Sequence, residues 1–235
     1  CILILLLASP PALAADSNYY QLLINKQYPL GYSYQPENLV SLNQYMKAGA
    51  SVKMTEQAAA ALGEMVRAMQ ADGISDIYGS SGYRSYNTQK HLHQNKIAAY
   101  RNQGYSSDEA ARRAGMSVAP PGASEHQSGM AIDLTASENN HGLTSSFGET
   151  QAGRWLAEHC WQYGYILRYA ADKTDITGYI YEPWHFRYVG KPHAEYITKN
   201  KLCLEEYIDY LIAHPHIAVY LEGELKYEIY RLPGG

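Results

Sequence analysis

The segments of this chain that can form strands are short, and amphipathic helices lie between them. Ile74–Tyr78, Met130–Leu134, Tyr165–Arg168 and Trp184–Val189 are each only a handful of residues long. Such segments build a small sheet, which must be covered by helices to close a core. The clearest helix opens at Thr55. Ala59, Leu62, Met65, Val66 and Met69 recur at helical spacing, and Gly73 follows them. Asn87–Arg101 reads as a polar helix, and Ser107–Arg113 as a second one capped by Ser106 or Ser107. Gln151–Tyr163 is amphipathic and closed by Gly164, Leu204–Ala213 reads as a helix, and Val219–Leu232 alternates around Glu222 and Gly223 like a hairpin. The expected fold is α+β, with a small antiparallel sheet and surrounding helices. A length of 235 residues suits one ordinary domain with appendages.

Four segments are expected. Residues 1–15 are apolar, uncharged and end in Ala12-Leu13-Ala14, with Asp16 next, as in a secretory signal truncated at its start. The run is too short to span a bilayer and is broken by Pro10 and Pro11. Cys1 precedes the apolar run, whereas a lipidated cysteine would follow one. The expected product is secreted, monomeric and without a transmembrane span. Residues 16–50, with Pro29, Gly31, Pro36 and Gly49, form an irregular lead-in; 51–204 form the main domain; 205–235 form an accessory helix and hairpin. Nineteen basic against 23 acidic side chains give a net charge of -4, with no basic stripe for nucleic acid. Beyond the signal two cysteines remain, Cys160 and Cys203, either as one disulfide or as two buried thiols. The 23 tyrosines suit a wet, polar cleft or a plain core equally.

Chemistry concentrates in three stretches, residues 81–85, 124–133 and 182–187. His126 precedes a strand, Asp133 lies within or at the end of it, and His185 adjoins another. Two imidazoles and a carboxylate make a three-ligand zinc site with an open position, and no cysteine cluster offers a structural site instead. Glu182 lies three residues before His185, close enough to move a proton while staying outside the ligand set. Arg84 has the planar fork that grips a carboxylate. Spacing alone leaves this weak, because nine histidines are present and most histidines are not ligands. Gly82 and Gly129 read as turn glycines, Trp184 as a wall or core residue, and Glu125 as a solvated neighbour. His91, His93, His141, His193, His214 and His216 read as surface residues, His159 as half-buried, and Asp172, Lys173 and Asp175 as a solvated loop.

The same stretches resemble the VanY-type D-alanyl-D-alanine carboxypeptidases, zinc peptidases related to D,D-dipeptidases and hedgehog-like domains. The family's S-x-H-x-x-G-x-A-x-D stands as Ser124, His126, Gly129, Ala131 and Asp133. Its E-x-W-H stands as Glu182, Trp184 and His185, and its S-G-Y-R-S is complete at 81–85. The resemblance covers roughly residues 40–204. It implies a hedgehog/D,D-peptidase-like fold, Zn2+ held by His126, Asp133 and His185, and Glu182 as the catalytic base. It also implies that Arg84 binds the substrate carboxylate or polarises the scissile carbonyl, that Ser124 helps hold the terminal carboxylate, and that Gln89 lies in the cleft. The implied substrate is a peptidoglycan stem peptide losing its terminal D-alanine. An L,D-carboxypeptidase, a D,D-dipeptidase and a non-catalytic wall-binding module stay open as alternatives.

Overall fold

A computed structural model describes residues 20–231 apart from Gly223. The expected signal at 1–15 therefore lies outside the described residues. The elements, in chain order, are β1 (Leu39–Ser41), β2 (Lys53–Thr55), α1 (Glu56–Ala71), β3 (Tyr78–Ser81), α2 (Tyr86–Asn102), α3 (Ser107–Gly115), β4 (Ala131–Thr135) and α4 (Gln151–His159). There follow β5 (Tyr165–Leu167), α5 (Thr174–Thr177), β6 (His185–Tyr188), α6 (Lys191–Lys199), α7 (Leu204–Ala213), β7 (His216–Leu221) and β8 (Glu224–Tyr230).

The central sheet has four strands in the order β3-β4-β6-β5, all antiparallel. Side chains alternate faces along a strand. Ile132 lies opposite Phe186, and these two share one buried cluster with Leu134 and with Leu62, Met65 and Met69 of α1. Asp133 is out of phase with that set. It lies opposite His185 on one side and Ser81 on the other, so the face turned away from α1 collects polar groups. A second cluster joins Ile166 of β5 and Val189 to Ala194 and Ile197 of α6, Leu204, Tyr207 and Leu211 of α7, and Ile217 and Ile229 of the C-terminal hairpin. Residues after 204 thus pack on the outer edge of the sheet that carries the polar face.

Several boundaries differ from the sequence expectation. The first strand of the sheet is Tyr78–Ser81 rather than Ile74–Tyr78. Gly73 takes a left-handed φ of +83 as α1 ends, and Ile74 and Ile77 turn into the core before pairing begins. The expected Gln151–Tyr163 helix tightens to a 3-10 turn at Cys160–Tyr163, and Gly164 closes it at φ +83. The lead-in holds a strand, β1, that pairs with β2. Helix α6 was not expected; it follows Gly190, with Pro192 in its first turn, where a missing N–H costs nothing. The hairpin starts at His216 rather than Val219. Cys160 and Cys203 are both buried free thiols rather than a disulfide. Tyrosine serves both roles: Tyr165 and Tyr207 are core residues, while Tyr169 and Tyr179 line a cleft. No helix among the described residues is long and apolar enough to cross a membrane.

Candidate metal centre and cleft

His126 is presented by a 3-10 turn, Glu125–Ser128, that Gly129 ends in the left-handed region at φ +71. Its ring is oriented from behind. Nδ1 lies 2.7 Å from the Gly82 carbonyl oxygen, which only accepts, so Nδ1 carries the proton and Nε2 a lone pair. Gly82 is required here, because a Cβ at that position would collide with the Lys53 carbonyl. His126 Nε2 faces Asp133 Oδ2 at 3.2 Å and has no hydrogen-bond partner. Two lone pairs facing one another in a buried site call for a cation between them.

The third group fits. Asp133 Oδ1 lies 2.9 Å from His185 Nδ1, the pair set by the β4–β6 register. One donor atom each from His126, Asp133 and His185 falls within 4.8 Å of the others, the separation that one small ion spans. Two nitrogens and one oxygen, with no thiolate, match a catalytic rather than a structural zinc site.

Charge is finely balanced there. Burial, with Arg84 nearby, pushes the His126 imidazole down to about 4, so it is neutral and ready to ligate. Burial works against the Asp133 carboxylate, but the charge of His185 and its hydrogen bond help to hold the group well below the usual range. Burial also opposes the His185 imidazolium, yet hydrogen bonds to Asp133 and Glu125 raise it to about 9. Glu182 is the contrasting carboxyl. Burial and the Asp133 charge raise it to about 8, against the partial relief of His185 and Arg84. A cation among the ligands would bring it back down.

The cavity above this centre measures about 290 Å³. Arg84, Gln89, Ser124, Glu182 and Trp184 line it together with His126, Asp133 and His185, and Tyr169 and Tyr179 complete the wall. Arg84 is buried, with Nε lacking a partner. Gln89 donates through Nε2 to the Ala119 carbonyl at 2.7 Å, which leaves Oε1 unpaired. The structure thus brings all seven sequence-derived site residues into one cavity.

One reading fails. Glu125 is not a solvated neighbour: its side chain is fully buried, its Oε1 accepts from Arg168 Nε at 2.8 Å and Arg187 Nη1 at 2.9 Å, and its Oε2 lies 3.4 Å from His185 Nε2. The missed signal was the pair of arginines inside apolar strand segments, which needed a buried counter-charge. His193 and His93 are not free surface residues either. His193 Nδ1 lies 2.6 Å from the Tyr207 hydroxyl, and His93 Nδ1 lies 2.7 Å from the Val118 carbonyl. The expected loop at 172–175 is partly helical; Asp172 and Asp175 are exposed as expected, and Lys173 pairs with Glu206 at 2.8 Å.

Residues 51–191 match the model of the family described as VanY, D-alanyl-D-alanine carboxypeptidase. The chain belongs to that family. A D-alanyl-D-alanine carboxypeptidase of Enterococcus faecium is 35% identical over 219 residues, covering 90% of this chain and 64% of the relative. The chain thus spans about two thirds of the length of its first curated relatives. Among solved structures, a mutant of the vancomycin resistance D,D-pentapeptidase VanY in complex with Zn(II) is 36% identical at a TM-score of 0.68, covering 81% of this chain and 99% of that one. The LD-carboxypeptidase LdcB, solved to explain peptidoglycan recognition, is 39% identical at a TM-score of 0.69, covering 80% of this chain and 84% of that one.

Proposed function

We propose that this VanY-family chain is an exported, zinc-dependent D,D-carboxypeptidase that removes the terminal D-alanine from peptidoglycan stem peptides. The observation that carries the reading is the unprotonated His126 Nε2 held against Asp133 Oδ2, beside a free carboxyl at Glu182. His126, Asp133 and His185 would hold the ion. Zinc supplies a Lewis acid that lowers the pKa of water to roughly 7 and polarises a carbonyl.

The chain's own groups do the rest. Glu182 stays outside the ligand set, takes a proton from the attacking water and returns it to the departing amine nitrogen of D-alanine. Arg84 pairs with the terminal carboxylate or steadies the charge developing on the scissile carbonyl oxygen. Ser124 adds a hydroxyl for the carboxylate, and the unpaired Gln89 Oε1 accepts from a substrate N–H. Tyr169, Tyr179 and Trp184 wall the cleft and limit water.

A dipeptidase must also bind a free amine. Among the described residues the acidic ones lining the cavity are Glu125, Asp133 and Glu182, each with another task, so none of these is left over for an ammonium. The likeness to an LD-carboxypeptidase favours one second reading, cleavage of a tetrapeptide on the same scaffold. Export rests on residues 1–15, and the catalytic unit on 51–204. The deciding experiment offers purified protein a synthetic stem pentapeptide and the corresponding tetrapeptide, with and without a chelator. D-alanine released from the pentapeptide alone, and stopped by the chelator, is the expected result. Release from the tetrapeptide alone would establish the L,D activity instead, and release from neither would reject both.

A further inference from the structure

We infer that Glu125, Arg168 and Glu205 form a buried relay that positions His185 for metal binding, making helix α7 part of the centre's support. Glu125 Oε2 lies 3.4 Å from His185 Nε2. Once an ion displaces the Nδ1 proton that otherwise reaches Asp133, a carboxylate there keeps the other proton on Nε2 and leaves the Nδ1 lone pair on the metal side of the ring. The carboxylate cannot swing away, because Arg168 and Arg187 both hold its other oxygen.

The chain of contacts continues outward. Arg168 Nη1 and Nη2 reach the two oxygens of Glu205 at 2.8 and 2.7 Å, a bidentate pair of fixed geometry. Glu205 stands in the first turn of α7 and also accepts from Asn25 Nδ2 at 3.2 Å. Arg187 Nη2 donates to the carbonyls of Tyr20 and Leu22. The side chains of Glu125, Arg168 and Arg187 are wholly buried, where charges persist only when paired. Two carboxylates balance two guanidiniums, so the relay fixes His185 without adding net charge beside the ion. Glu205 lies beyond the segment that matches the family, which ends at residue 191.

The inference rests on the zinc reading above, and its test separates the two. Zinc affinity is measured on the full chain by competition with a chromophoric chelator, together with the visible spectrum of the Co2+-loaded protein. Native chain, Glu125→Gln and Glu205→Gln are compared, each first shown to be folded without metal. Glu125→Gln is expected to weaken zinc binding roughly 10-fold or more, the scale of lost partners behind a ligand, and to shift the Co2+ bands. Glu205→Gln is expected to do both to a smaller, measurable extent, and it alone decides if Glu125→Gln does not fold. A folded Glu205→Gln with native affinity and native Co2+ bands overturns the role of α7. Native chain that binds no zinc overturns the metal reading beneath it.

Discussion

Two carboxylates in this molecule are each shared by two arginines, and their surroundings could hardly differ more. On α3, Glu109 lies 2.7 Å from Arg112 and 2.6 Å from Arg113. Beside the candidate metal centre, Glu125 lies 2.8 Å from Arg168 and 2.9 Å from Arg187. The distances match, but the α3 side chains are between 32% and 60% exposed and the central ones are not exposed at all. The arginines draw the Glu109 carboxyl down to about 2, yet water and salt screen that attraction and hold its worth down. At Glu125, burial resists the charge and the arginines must overcome it. Contact distance alone therefore says little about energy. What counts is what would be left behind if one partner were removed.

The largest effect should follow from leaving the buried arginines unmatched. Glu125→Gln is predicted to cost about 3–5 kcal/mol of stability, read by urea unfolding; a loss below 1 kcal/mol would break the contrast. Next comes Gly82→Ala, which drives a methyl into the Lys53 carbonyl and disturbs the backbone oxygen that orients His126. About 1–3 kcal/mol is expected from such overpacking, with weaker zinc binding in the same variant. An intermediate case is His193, which burial lowers from 6.5 to about 4. The unfolded chain takes up a proton below pH 6.5 while the folded chain refuses it. Its contribution to stability is therefore complete above pH 6.5 and lost as the pH falls towards 4. His193→Gln should flatten the dependence of Tm on pH across that window, and an unaltered slope would refute the assignment. Glu109→Gln closes the series with no resolvable change in Tm, and a clear drop would show that the exposed cluster had been undervalued.

The same comparison explains what was legible beforehand. Glu109, Arg112 and Arg113 sit three and four residues apart on one helix, a relation that spacing displays directly. Glu125 and Arg168 are 43 residues apart, and nothing local to Ser124-Glu125-His126 marks the middle residue as buried. Helix α1 could be read because Leu62, Met65 and Met69 repeat at helical spacing. Helix α6 escaped because its buried residues are only Ala194, Glu195 and Ile197, too few to show an apolar stripe. The trio of His126, Asp133 and His185 was readable as motifs, but its geometry depends on the register that sets Asp133 against His185, a long-range property. The thiols show the same limit: spacing gave no way to choose between a disulfide and two separate burials for Cys160 and Cys203.

The central claim is that Glu182 moves the proton and does not hold the metal. The direct measurement is zinc content and D-alanine release, side by side, for native chain and Glu182→Gln. The account predicts one zinc per chain in both, with turnover of the pentapeptide reduced about 100-fold or more in the variant. Undiminished turnover, or loss of zinc together with activity, would contradict it.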